Sequence, residues 1–71
     1  MSELFIKSEY ISLSQALKLC GAVLSGGQAK ELISEGEVKV NGETCLQRGR
    51  KLRPGDVFEA SGEVFEVRGC T

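Results

Sequence analysis

Two kinds of hydrophobic spacing divide the chain near Val38. Before it, apolar residues recur every three or four positions; after it, every second position. Leu13, Ala16, Leu17 and Cys20 fall at i, i+3, i+4 and i+7, one face of an amphipathic helix. Ser12 lies three residues before Gln15, the spacing of a capping box, in which hydroxyl and amide each satisfy an orphan backbone donor at a helix start. Gly21 suits a left-handed stop. The pattern returns with Ser25 three residues before Gln28, a stripe of Ala29, Leu32 and Ile33, and a stop at Gly36. Lys30, Glu31, Ser34 and Glu35 are left for solvent. Two short helices joined by a few residues predict an αα-hairpin whose members would be marginal alone.

From Val38 the period is two. Val38-Lys39-Val40, Asn41-Gly42 and Glu43-Thr44-Cys45-Leu46 predict a hairpin, because Asn-Gly tolerates the positive φ that a type I′ turn demands at both central positions. A two-residue loop sets Val40 opposite Glu43, Lys39 opposite Thr44 and Val38 opposite Cys45. Val38, Val40 and Cys45 then share one face, and Lys39 projects from the other. Gln47 to Leu52 reads as a basic connection broken by Gly49, followed by an Arg53-Pro54-Gly55-Asp56 turn. Val57 to Ala60 and Glu63 to Val67, joined by Ser61-Gly62, predict a closing hairpin. Phe58 would face Phe65 across it, a pair that contributes roughly 0.2–1 kcal/mol over Ala–Ala. Arg68 ends that strand, Gly69-Cys70-Thr71 is expected to fray, and Leu4 to Lys7 suggests a short opening strand. The expected fold class is α+β: two short N-terminal helices packed on a small, mostly antiparallel sheet, one domain over residues 1–71.

Composition fits that size of core. Twenty of 71 residues are Leu, Ile, Val or Phe, with 41% hydrophobic and 27% charged residues overall. This is globular rather than disordered composition, with the thin stability margin of a small chain. No apolar run approaches a membrane span, and the N-terminal residues lack the basic start and apolar stretch of a secretion signal. The cytoplasm is therefore the expected compartment, and a monomer without membrane contact the expected state. Cys20, Cys45 and Cys70 are odd in number and widely spaced, unlike a disulfide framework, and best suit packing. Without histidine or paired cysteines, neither a metal site nor a cofactor is expected. The same lack removes the usual general base and any Cys-His or Ser-His pair, so the chain is expected not to be an enzyme.

A formal net charge of −1 hides a polarised molecule. Lys39 to Arg53 holds five of the nine basic residues and one acid, Glu43, a local charge of +4 against −5 for the remainder. Local charge decides whether an anionic polymer can dock. Arg48, Arg50, Lys51 and Arg53 form the densest part. Arginine offers a planar donor fork suited to phosphate, lysine a compact point charge. Short charge runs are often only solvated surface, and a basic ribbon also suits an adaptor that meets an acidic protein. Aromatic content narrows the mode: one Tyr, three Phe and no Trp do not make the platform of a sequence-specific single-strand binder. For a nucleic acid, reading by shape and phosphate is favoured over base-by-base reading.

The order of these pieces is itself informative. Leu13 to Leu17, Ser25-Gly26-Gly27-Gln28-Ala29-Lys30-Glu31-Leu32-Ile33, Gly36-Glu37-Val38-Lys39-Val40-Asn41-Gly42 and Pro54-Gly55-Asp56 follow one another over residues 11–58. In that order they resemble the RNA-binding domain of the ribosomal small-subunit protein four type, the αL motif. The Gly-Gly-x-Ala-Lys and Arg-Gly-Arg-Lys-Leu runs look most like its small, single-domain bacterial members, the YaaA/YbcJ-like group. The resemblance implies an αL-type fold that binds structured RNA, with ribosomal or ribosome-associated RNA as the expected partner. The surface would combine Ser25, Gly26, Gly27, Gln28 and Lys30 with Lys39, Asn41, Arg48, Arg50, Lys51 and Arg53. Many members carry Arg directly after the Ser that opens the second helix, where this chain has Gly26. Its glycines either leave backbone N–H groups open to a phosphate at the helix start or simply make a compact helix entry.

Overall fold

The computed structural model describes residues 2–69, which form two helices and seven strands. β1 (Ser2–Ile6) and β2 (Ile11–Ser12) precede α1 (Leu13–Leu19) and α2 (Gly26–Ser34). β3 (Val38–Val40), β4 (Glu43–Thr44), β5 (Lys51–Leu52), β6 (Val57–Ala60) and β7 (Glu63–Gly69) follow. Five strands form one sheet in the order β1-β7-β6-β3-β4, and β2 pairs with β5 in a separate two-stranded ladder. Only β1 and β7 run parallel; every other pairing is antiparallel. The class is α+β with a mostly antiparallel sheet, as the change of period predicts.

Helix and turn chemistry follow the sequence closely. The Ser12 hydroxyl accepts from the Gln15 N–H at 3.3 Å, and the Ser25 hydroxyl from the Gln28 N–H at 3.2 Å. The return half of each box differs. Gln28 Oε1 accepts from the Leu24 N–H at 2.7 Å, one residue before the cap, and no return bond from Gln15 occurs among the described residues. Gly21 and Gly36 take φ of 84° and 76° just beyond the two helices. Asn41 and Gly42, at φ of 51° and 85°, make the predicted tight turn, with Lys39 opposite Thr44 and Val40 opposite Glu43. Phe58 faces Phe65 with ring centroids 5.1 Å apart.

One apolar cluster joins the layers. Leu13, Ala16 and Leu17 of α1 and Ala29 and Ile33 of α2 are buried together with Val38, Val40, Leu52, Phe58 and Val67. Cys20 and Leu32 are half-buried at its margin. Several boundaries differ from the pattern. The opening strand is Ser2–Ile6 rather than Leu4 to Lys7, because pairing with β7 rather than local hydrophobicity sets its limits. That pairing also carries β7 past Arg68 to Gly69. β4 stops at Thr44, although Cys45 still donates to the Val38 carbonyl at 3.0 Å. The basic connection is not all loop, since Lys51 and Leu52 pair with Ser12 and Ile11. The expected fraying of Cys70 and Thr71 lies outside the described residues.

Candidate nucleic-acid interface

The basic segment is tied to the start of α1 by its backbone, which leaves its side chains free. Leu13 N–H donates to the Arg50 carbonyl at 2.8 Å and Ser14 N–H to the Arg48 carbonyl at 3.1 Å. Two of the donors that a helix start leaves unsatisfied are thus used to fix the loop. Arg50 N–H closes a turn onto the Gln47 carbonyl at 3.1 Å, around Arg48 and Gly49. Arg53 is anchored by its own N–H to Asp56 Oδ2 at 2.8 Å. Arg48, Arg50, Lys51 and Arg53 are all exposed. Among the described residues the ion pairs are those of Arg68 with Glu3 and Glu66, at 3.2 and 3.5 Å. No carboxylate among them therefore neutralises the four cations of the loop, nor Lys30 or Lys39, at ion-pair distance.

The β3–β4 hairpin borders this segment. A shallow groove of about 320 Å³ runs between Glu43 and Thr44 of the hairpin and Leu46, Gln47 and Arg50. Glu43 makes that groove mixed rather than uniformly cationic. Asn41 is committed internally: its Oδ1 accepts from the Val57 N–H at 3.0 Å, and its Nδ2 donates to Asp56 Oδ1 at 3.3 Å. It locks the hairpin turn to the Pro-Gly-Asp turn that carries Arg53. Lys39 projects from the sheet face opposite the buried Val38 and Val40, with Thr44 and Glu59 as its cross-strand neighbours. It stands apart from the face on which the helices pack.

At the start of α2, Ser25, Gly26, Gly27 and Gln28 are exposed, and so is Lys30 in the following turn. The Gln28 N–H is taken by Ser25, whereas the Gly26 and Gly27 N–H groups have no hydrogen-bond partner among the described residues. Nothing lies within 4 Å of where a Gly26 Cβ would sit, and its φ is not in the left-handed region. A side chain at that position would meet no obstacle. Tyr10 joins the basic segment without having been visible in the sequence: its ring centre lies 4.8 Å from Lys51 Nζ. The signal was the ladder between β2 and β5, too short to show an alternating pattern.

Other chemistry is sparse. Burial pushes the Cys20 thiol above its ordinary pKa, outweighing backbone N–H groups that favour the thiolate, which suits packing rather than reactivity. Cys45 is buried under the hairpin. Among the described residues no group of three His, Cys, Asp or Glu could hold a metal ion, and no helix is long and apolar enough to cross a membrane.

Comparison with known proteins bears on this surface. Residues 4–68 match the S4 domain family. The chain is 53% identical over 57 residues to the probable ribosome maturation protein RlbA of Bacillus subtilis, covering 80% of each. It is 36% identical over 61 residues to the putative RNA-binding protein YbcJ of Escherichia coli, covering 86% of this chain and 87% of that one. The solution structure of YbcJ, described as revealing an αL motif involved in RNA binding, superposes with a TM-score of 0.72 at 33% identity. That match covers 96% of this chain and 87% of YbcJ. The crystal structure of 30S ribosomal protein S4e from Thermoplasma acidophilum gives a TM-score of 0.63 at 25% identity, over 84% of this chain and 32% of S4e. With a family match over nearly its whole length and two relatives above 30% identity, the chain belongs to the S4-domain family of small αL-motif proteins.

Proposed function

We propose that this protein binds structured RNA on or near the ribosome, without doing chemistry, through phosphate contacts centred on the loop from Arg48 to Arg53. The observation that carries this reading is a set of four exposed cations on a loop held by its own carbonyls to α1, with no described carboxylate at ion-pair distance. Unpaired surface cations on a fixed backbone require little reorganisation to meet phosphates, which dominate nucleic-acid affinity. Arg48, Arg50, Lys51 and Arg53 form the clamp. Lys30 extends it across α2. Ser25, Gly26, Gly27 and Gln28 present a helix start at which two open N–H groups and the dipole favour a phosphate. Asn41 contributes by holding the hairpin turn to the Arg53 turn. Lys39 contributes least, because it lies on the other sheet face beside Glu59.

The ribosomal part of the proposal rests on the names of the relatives, a ribosome maturation protein and an RNA-binding protein, together with the shared fold. The protein acts as a monomer in the cytoplasm. Crosslinking in cells followed by sequencing of the bound RNA tests the assignment. The expected result is enrichment of structured ribosomal RNA, lost on replacing Arg50 and Lys51 by Ala. A library with no enriched RNA, alongside recovery of an acidic protein partner, would instead make the basic ribbon an adaptor surface.

A further inference from the structure

Tyr10 is the one aromatic residue beside the basic loop. Phe58 and Phe65 are stacked on each other in the core, and Phe5 lies on β1 at the sheet edge, paired in register with Arg68. Tyr10 is 43% exposed, so much of its ring is withheld from the core. Its backbone is nevertheless held: the Ser8 hydroxyl donates to the Tyr10 carbonyl at 2.6 Å. The next residues enter the β2–β5 ladder, where Ile11 pairs with Leu52 and Ser12 with Lys51. Alternation along the ladder puts Leu52 into the core and Lys51 on the outer face, the side reached by Tyr10. Lys51 Nζ rests 4.8 Å from the ring centre as a result. A cation held over an exposed ring is weakly bound, so an RNA phosphate can draw it away and leave the ring free.

We propose that Tyr10 is a stacking site for one unpaired nucleobase, with Lys51 exchanging its contact with the ring for the phosphate of that nucleotide. The proposal rests on the RNA-binding reading above and adds a target class to it: a duplex interrupted by a bulged or looped-out base. Phosphates of the flanking duplex would lie on Arg48, Arg50 and Arg53. Any base presents a π face, so the site would sense the unpaired state rather than base identity.

Two RNA hairpins that differ only by one bulged nucleotide provide the test. The protein has a single tyrosine, so its ring protons report Tyr10 alone in an NMR titration. The expected result is an upfield ring-proton shift with the bulged hairpin and not with the fully paired one. Affinity for the bulged hairpin should exceed that for the paired one by about five- to a hundredfold, the range of a single base–aromatic stack. Tyr10→Phe should keep that preference. Tyr10→Ala and Tyr10→Leu should abolish it, the latter retaining an apolar side chain to support folding. Equal binding of both hairpins with unmoved ring protons would overturn the stacking site and leave the phosphate clamp standing. Binding to neither would overturn both.

Discussion

Gly26 and Asn41 show how differently two candidate residues use the same exposed surface. At Gly26 the structure imposes no conformational demand and leaves open space where a side chain would grow. Gly26→Arg should therefore fold normally, add one phosphate contact, and steepen the salt dependence of RNA binding by about 0.9. Anisotropy titrations at several salt concentrations check this; an unchanged slope would mean that the start of α2 does not face RNA. Asn41 is exposed but held through both its backbone and its amide. It holds φ at 51° and fastens both polar atoms of its amide to Asp56 and Val57. Asn41→Ala should cost about 2 kcal/mol in a denaturant melt, from the lost bonds and the left-handed backbone. Asn41→Gly, which relieves the backbone, should cost only about 1 kcal/mol. Equal losses would place the whole effect in the hydrogen bonds.

At the scale of elements, the proposed clamp from Arg48 to Arg53 combines Arg48 and Arg50 carbonyls held by α1 with side chains that stay outside. Replacing Arg50 and Lys51 together by Ala leaves those backbone bonds in place. The double variant should melt within about 0.5 kcal/mol of the parent, as surface substitutions usually do. Its RNA affinity should fall broadly across RNA sequences, since phosphate contacts carry no sequence information. A drop confined to one sequence would point to base contacts instead. The elements legible in the sequence were those with local signatures: Ser caps before each helix, positive-φ residues in each two-residue turn, and Phe58 across from Phe65. The β2–β5 ladder has no such signature because two residues per strand cannot display alternation, and Leu52 reads as part of a basic connection unless its long-range partner Ile11 is known. For the same reason Tyr10 could not be joined to Lys51, as their contact depends on a long-range pairing. The parallel partner of β1 was likewise set by register with β7, not by local pattern.

At the scale of the molecule, one small core supports the helices and strands that carry the proposed interface. Phe58 is fully buried at the centre of the sheet and stacked on Phe65. Phe58→Ala should cost roughly 3–5 kcal/mol, a large share of the about 5–15 kcal/mol that stabilises ordinary domains. In a chain this short the variant should be substantially unfolded near 37 °C by circular dichroism, and a cooperative native-like melt would show that the core tolerates the cavity. Charge is segregated on the same scale. Glu3, Glu59 and Glu66 lie on the sheet face away from the helices, two of them joined to Arg68, while the clamp occupies the loop tied to α1. Alternation explains why Lys39, counted with the basic stretch in sequence, is separated from it in space: the residues that flank it point into the core.

RNA binding is proposed to be electrostatic and centred on four phosphate contacts. The most direct test is the affinity of the unmodified protein for a structured RNA hairpin measured across a salt series. The expected result is a linear fall of log affinity with log salt, at a slope of roughly −3 to −4. A slope near zero would contradict the phosphate clamp.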